Sequence, residues 1–583
     1  MKRIELNPNN NLSYILMEAS KPILYQIFPR LYTNTCEQCT PNGNITENGV
    51  GKMNKIDDKL LRSLKKLGIT HIWYTGLIEH AHATVYPGIT PDNPHVVKGL
   101  AGSPYAIKDY YDVDPDIADD VEHRLDEFKQ LVERTHKAGM KVVLDFVPNH
   151  VARHYESDAK PSGEADFGAN DNTALTFAPN NNFYYFNEPF APNINLGEGN
   201  DRYIEFPAKA TGNDCFSAHP GINDWYETAK LNYGVDFTNN NWHFSPIPDT
   251  WTKMLHILQY WSRLGVDAFR CDMAFMVPVE FWNWLIPQIK AEFPHIVFIA
   301  ELYDTHIYRR FLYDAHFDYL YDKVNLYDTL RAITCGNQPA WRISDCWRTV
   351  DGIGDKMLNF LENHDEQRIA STFFAGDANK AIPALIVSAT ISKGPFLLYQ
   401  GQELGEPAAD AEGFSGLDGR TTIFDYWSIP TVRRWYNNGK CDGRKSTAAE
   451  KALRKTYATL LNLCNSEKAI SQGGFFDLMY VNHHTMNTDK QFAYLRHCEG
   501  SVLMVVVNFD SQSAQTAVTI PEHAFNCTDL EPGEYNAVDL ISGATEQFTL
   551  APSCTLPIEI KAYSGAIWKL SKAKPQKKIG KII

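Results

Sequence analysis

The chain has 583 residues, of which 44% are hydrophobic and 21% charged, with a formal net charge of −15. That length exceeds one ordinary core, so a large domain with smaller ones attached is expected. The acidic balance argues against a nucleic-acid partner and suits a neutral polar ligand. No stretch is long and apolar enough to span a membrane, and MKRIELNPNNNLSY lacks the apolar run of an export signal. The expected setting is cytoplasmic, with export behind a trimmed signal left open.

Residues 1–20 read as a polar lead-in, and ILYQIFP at 23–29 as a first strand. Ile56, Leu60, Leu61, Leu64 and Leu67 recur at helical spacing and stop at Gly68. THIWYTGL at 70–77 is a second strand. Leu125, Phe128, Leu131 and Val132 mark the next helix, and KVVLDFVPNH at 141–150 a third strand. Residues 151–250, rich in Asn, Asp, Gly and Pro, are too long for bare loop and predict a small inserted domain. Alternation resumes with a helix at 254–265 and a strand at 266–271, then strands at 296–300, 317–321, 357–361 and 395–400 with helices between them. Eight strands alternating with helices predict a (β/α)8 TIM barrel, an α/β fold. From about 470 the chain turns to short strands such as FAYLRH, SVLMVVVNF, QTAVTI, PIEIK and GAIWKL, which predict a C-terminal all-β sandwich. The expected division is 1–150 and 251–468 for the barrel, 151–250 for the insert, 469–573 for the sandwich and 574–583 for a basic tail.

Four strands end in polar groups. GVDAFRCD places Arg270 and Asp272 two apart, hence on one side of a strand. LDFVPNH, FIAEL and FLENHD carry Asp145, Asn149, His150, Glu301, His364 and Asp365 at the ends of three others. Singly, each is better read as a cap or a loop ion pair. Jointly they describe the mouth of a parallel barrel, where such folds keep their chemistry. Eleven scattered cysteines include one CxxC, Cys36 and Cys39, open to zinc, a local disulfide or a surface accident.

LDFVPNH, GVDAFRCD, FIAEL and FLENHD, in this order, resemble the four signature regions of the α-amylase family, glycoside hydrolase family thirteen. WYETAKLNYGVDF at 225–237, GSPYAIKDYY at 102–111 and LLYQGQELG at 397–405 resemble further stretches of that family. The resemblance implies a retaining hydrolase of α-1,4-glucosidic bonds in starch-like polymers or maltooligosaccharides. A transglycosylase or isomerase with the same residues is the alternative, and a catalytically inactive sugar-binding barrel a more distant one. It implies Asp272 as nucleophile, Glu301 as acid and base, and Asp365 as stabiliser of the transition state. Arg270 would keep Asp272 ionised, His150 and His364 would bond sugar hydroxyls, Tyr105 would stack on the sugar, and Asp145 would hold the group in place. No cofactor is implied for catalysis. Asn149 stands where relatives ligate calcium, so a structural calcium is the metal expectation. Two departures stand out. Phe275 and Met276 replace the Lys and His that follow the nucleophile in many relatives, and a barrel that begins near residue 22 leads us to expect a member without the N-terminal β-domain of neopullulanases and branching enzymes.

Overall fold

The computed structural model describes residues 21–528 and 530–573. The lead-in and the basic tail expected at the two ends lie outside the described residues. Eight parallel strands close a barrel: β1 (Ile23–Ile27), β2 (His71–Tyr74), β3 (Lys141–Phe146), β4 (Ala268–Cys271), β5 (Val297–Ala300), β6 (Tyr319–Tyr321), β7 (Met357–Phe360) and β8 (Phe396–Tyr399). β8 pairs with β1, which shuts the ring.

Strand alternation sorts the side chains. Leu24, Trp73, Val143, Ala268, Ile299, Tyr321, Leu358 and Leu397 form one cluster inside the ring. Ile72, Val142, Phe269, Phe298, Leu320 and Phe396 belong to the larger core under the surrounding helices. Those helices are amphipathic for simple local reasons. The one at Asp58–Leu67 starts where the Asp57 side chain accepts from two backbone N–H groups, buries Leu60, Leu61, Leu64 and Leu67, and stops at Gly68 with φ 105°.

Between β3 and the helix Asp249–Arg263 the chain forms short antiparallel pairs. His150–Ala152 pairs with Thr228–Lys230, Tyr185–Phe186 with Ala208–Lys209, and Val235–Asp236 with Asn241–Trp242. Beyond residue 473 a six-stranded antiparallel sheet faces a two-stranded one. The strand Ser501–Asn508 is buried on both sides. Val502, Met504 and Val506 face the second sheet, while Leu503, Val505 and Val507 join the core of the barrel. That double burial explains its unbroken apolar sequence. Cys36 and Cys39 are free thiols, as are all the cysteines among the described residues.

Candidate active site

On β4 the inward positions run Ala268, Arg270 and then Asp272 just past the strand end. β3 offers Val143 and Asp145 on the same side, and β5 offers Ile299 and then Glu301. Arg270 is the direct neighbour of Asp145 across the β3–β4 pair. The barrel interior is therefore apolar at its base and ionic at the C-terminal mouth, as the strand-end residues predict.

The Arg270 guanidinium is the hub. Its Nη1 donates to Asp272 Oδ1 at 2.7 Å and lies 3.4 Å from Asp145 Oδ1, while its Nη2 is 2.7 Å from Glu301 Oε1. Its Nε reaches the Tyr321 hydroxyl at 3.3 Å. The rings of Trp73, Tyr105 and Tyr321 surround it, with its central carbon 5.3, 5.5 and 5.6 Å from their centroids. Above it opens a cleft of about 350 Å³ lined by Tyr105, His150, Trp225, Asp272, Glu301, Tyr303, Asp365 and Phe424, among others. Arg270, Asp145 and His364 are buried.

Burial works against the Arg270 charge, but Glu301, Tyr321, Tyr105 and Asp272 together raise its pKa well above the ordinary value. The carboxyls respond in kind. Burial, then the negative charge of Glu301, pushes Asp272 well above the usual carboxylate range, against the pull of Arg270. The same two causes raise Asp365 to about 7, although its side chain keeps 34% of its surface open to solvent. Asp145 rises to about 6, chiefly by burial. Several carboxyls near one guanidinium cannot all ionise cheaply, and the pull of Arg270 favours the ionised form of Asp272 against its burial. Burial and then Arg270 hold His364 well below its ordinary pKa, so its ring is neutral. The Gln26 side-chain amide meets His364 Nδ1 at 2.8 Å, which leaves Nε2–H to face the Tyr105 hydroxyl at 2.6 Å and Asp365 Oδ2 at 3.0 Å. Burial lowers His150 to about 3, and its ring lies 5.2 Å from that of Trp225.

Sequence reasoning missed several members of this network. The Tyr303 hydroxyl donates to Glu301 Oε1 at 2.6 Å, and the Met273 N–H donates to Glu301 Oε2 at 2.7 Å. Met273 has a left-handed backbone, φ 43°, at the turn straight after Asp272. A non-glycine residue there stores local strain, which the fixed N–H puts to use. Trp73 Nε1 donates to Asp145 Oδ2 at 2.9 Å. The available signals were spacing two from Glu301 for Tyr303 and the inward phase of β2 for Trp73.

The model of the α-amylase catalytic domain matches residues 26–459 of this chain. The chain belongs to the α-amylase family. It is similar to Alpha-amylase 2 of Dictyoglomus thermophilum, 21% identical over 501 residues that span 85% of this chain and 70% of that one. It is also similar to a cyclomaltodextrinase of a Bacillus species, 23% identical over 84% of this chain and 72% of that one. Among solved structures, a maltogenic α-amylase of Thermotoga neapolitana covers 96% of this chain and 100% of its own, with a TM-score of 0.60 and 19% identity. The family is one of glycoside hydrolases, and it needs no cofactor for catalysis.

Within that family two local departures matter. The first corrects the metal expectation: calcium at Asn149 does not fit the residues present. Asn149 Oδ1 accepts a hydrogen bond from the Lys230 ammonium, and Asn149 Nδ2 donates to the Gly212 carbonyl at 2.7 Å. Carboxylates of Glu79, Asp109 and Asp158 gather elsewhere, with the Arg124 guanidinium 3.4 Å from both Glu79 and Asp158. The second departure is Phe275, which is 37% exposed and packs edge-on against Tyr303 at 5.9 Å. Beyond it lies a second hollow of about 470 Å³ whose lining includes Phe216, Phe237, Trp242 and Arg310. Phe216 and Phe237 are stacked at 4.2 Å, and Trp242 is 58% exposed.

Proposed function

We propose that this chain is a retaining α-glucan hydrolase that cleaves α-1,4-glucosidic bonds in maltooligosaccharides or starch-like polymers. One observation carries the reading. Asp272 and Glu301 sit on separate arms of one guanidinium, at the edge of a cleft walled by aromatic rings. Two carboxyls held by one guanidinium supply the nucleophile and the acid and base that double displacement requires. Asp272 attacks C1 of the sugar as the bond from C1 to the leaving oxygen breaks, and Glu301 gives that oxygen its proton. Water then attacks C1, Glu301 takes the proton of the water, and the ester to Asp272 breaks. Asp365 stabilises the cation-like transition state, Tyr105 stacks on the sugar, and His150 and His364 bond its hydroxyls. Asp145, tied to Trp73 and Arg270, keeps the guanidinium in place. Residues 151–250 act as an inserted domain that supplies Trp225 to one wall of the cleft.

The names of similar proteins agree with this substrate class, since solved neighbours include AmyP in complex with maltose and an α-amylase of Geobacillus thermoleovorans complexed with acarbose. Incubation with a maltooligosaccharide ladder and with soluble starch tests the reading. Shorter products are expected, and no change in either substrate would contradict it. Phe275 and the aromatic hollow beyond it favour one second reading, transfer to a sugar acceptor instead of water, which longer products in the same digest would reveal.

A further inference from the structure

We infer that Lys230 is a built-in cation that does the work of a structural calcium, fastening the inserted segment to the rim of the barrel. The lysine is only 6% exposed. It ends the short strand Thr228–Lys230, in register with His150 just past the end of β3. Its ammonium meets three oxygens of different kinds: the Asn149 side-chain amide, the Asp214 carboxylate at 2.6 Å, and the Met276 backbone carbonyl at 3.3 Å. An amide, a carboxylate and a main-chain carbonyl converging on one point form an oxygen set that a hard cation would take. An ammonium has three N–H donors, so it satisfies all three oxygens at once.

The surroundings are built for this arrangement. The Gly212 carbonyl holds the NH2 end of Asn149 at 2.7 Å, which turns the amide oxygen toward Lys230. A Cβ on Gly212 would fall 2.6 Å from Thr228 Oγ1 and 2.8 Å from His150 Cγ, so only glycine lets this loop lie so close. Burial lowers the pKa of the ammonium from its ordinary value, and Asp214 pulls it back up. A calcium ion at these oxygens would share them with a fixed positive charge, and it could enter only by displacing the lysine.

The three oxygens also sit in three separate places. Asn149 follows β3, Asp214 belongs to the inserted segment, and Met276 closes the turn Ala274–Met276 that starts two residues after Asp272. Lys230 thereby links both flanks of the cleft, with His150 beside Asn149 on one side and Phe275 on the other. The inference concerns how the fold is held together and stands whatever sugar the cleft accepts.

Thermal unfolding and metal analysis test it. The purified chain is dialysed against excess EDTA, then unfolded with and without added calcium chloride, beside Lys230→Ala treated in the same way. The expected result is a wild-type Tm that neither reagent moves, and no stoichiometric calcium in the protein as purified. Lys230→Ala should unfold several degrees lower. Calcium should raise the Tm of that variant, because the substitution frees the three oxygens. A wild-type Tm that falls in EDTA and returns with calcium would overturn the inference even if the variant fails to fold. A variant that unfolds at the wild-type temperature, or one that calcium does not stabilise, would overturn it as well.

Discussion

Arg270 binds Asp272 through one nitrogen and Glu301 through the other, and so holds together the two carboxyls to which the proposed mechanism gives different roles. Asp272→Asn keeps the shape of the side chain but removes the nucleophile. On this account the variant folds, with an unchanged Tm, and loses roughly a thousandfold or more in kcat. Turnover near wild type would remove Asp272 from the role. Tyr303 acts one step back, as a positioning residue whose hydroxyl holds Glu301 Oε1. Tyr303→Phe should cost about tenfold in kcat/KM on maltoheptaose, which corresponds to the ~1.4 kcal/mol that one such hydrogen bond contributes. It should cost clearly less on an aryl glucoside with a good leaving group, which needs little proton donation. Equal losses on both would show that Tyr303 only packs. At this scale the sequence was uneven. Arg270 and Asp272 were legible as neighbours because they lie two apart at a strand end, and Glu301 because it ends an apolar run, while their roles came from the resemblance to the family's signature regions. Tyr303, Gln26 and Trp73 were not, because their roles depend on which side-chain atoms meet across strands far apart in the chain.

The strands and most helices were legible as elements because their buried faces follow simple periods. In the C-terminal sheets, Gly533–Asp539 and Thr545–Leu550 escaped notice. GEYNAVD and TEQFTL expose Glu, Asn, Gln and Thr on alternate positions, and too few apolar residues remain to announce a strand. The short strands inside the insert escaped for a different reason: their pairs are held by loop hydrogen bonds and by contacts such as that of Lys230, which no periodicity records. The turn Ala274–Met276 is the element where sequence departs from family habit with a visible consequence. Its Phe275 puts an aromatic face between the cleft and the hollow that Trp242 borders. On the proposed mechanism stacking would replace a charge-assisted grip on the leaving-group side, a grip worth about 1.5–3 kcal/mol when present. Wild-type kcat/KM should accordingly differ little between maltotriose, maltoheptaose and soluble starch. Phe275→Lys should restore a preference for the longer substrates. A strong wild-type preference for polymer that the substitution leaves unchanged would show that this turn does not set affinity there.

For the molecule as a whole, buried acids set how stability depends on pH. Burial raises Glu362 from its ordinary 4.5 to about 7, although Arg368 and the Ile369 N–H pull it down. A folded pKa above the unfolded one means that the folded chain holds a proton which the unfolded chain has released. That stabilisation is complete below the unfolded pKa and is lost as pH rises through about 7. Buried His71 and His150, both lowered to about 3, act with the opposite sign only until free histidine is neutral, above about 6.5. Above that Lys21, lowered to about 7, opposes the fall, while Glu79, raised to about 9, and Asp365, raised to about 7, deepen it. Tm should therefore fall between about pH 6.5 and about pH 8, and Glu362→Gln should flatten that fall. A wild-type Tm that rises across this window would contradict the sign. Chain length and strand count made the barrel and the C-terminal sheets legible at this scale, while the substitution of an ammonium for a metal was not, because Asn149 alone carries no sign of what meets its oxygen. The central claim is double displacement by Asp272 and Glu301 on an α-glucan. Proton NMR of maltoheptaose digests, read before the free sugar equilibrates its anomers, tests it most directly. The account predicts that newly formed reducing ends appear first as the α-anomer, and a first signal from the β-anomer would contradict it.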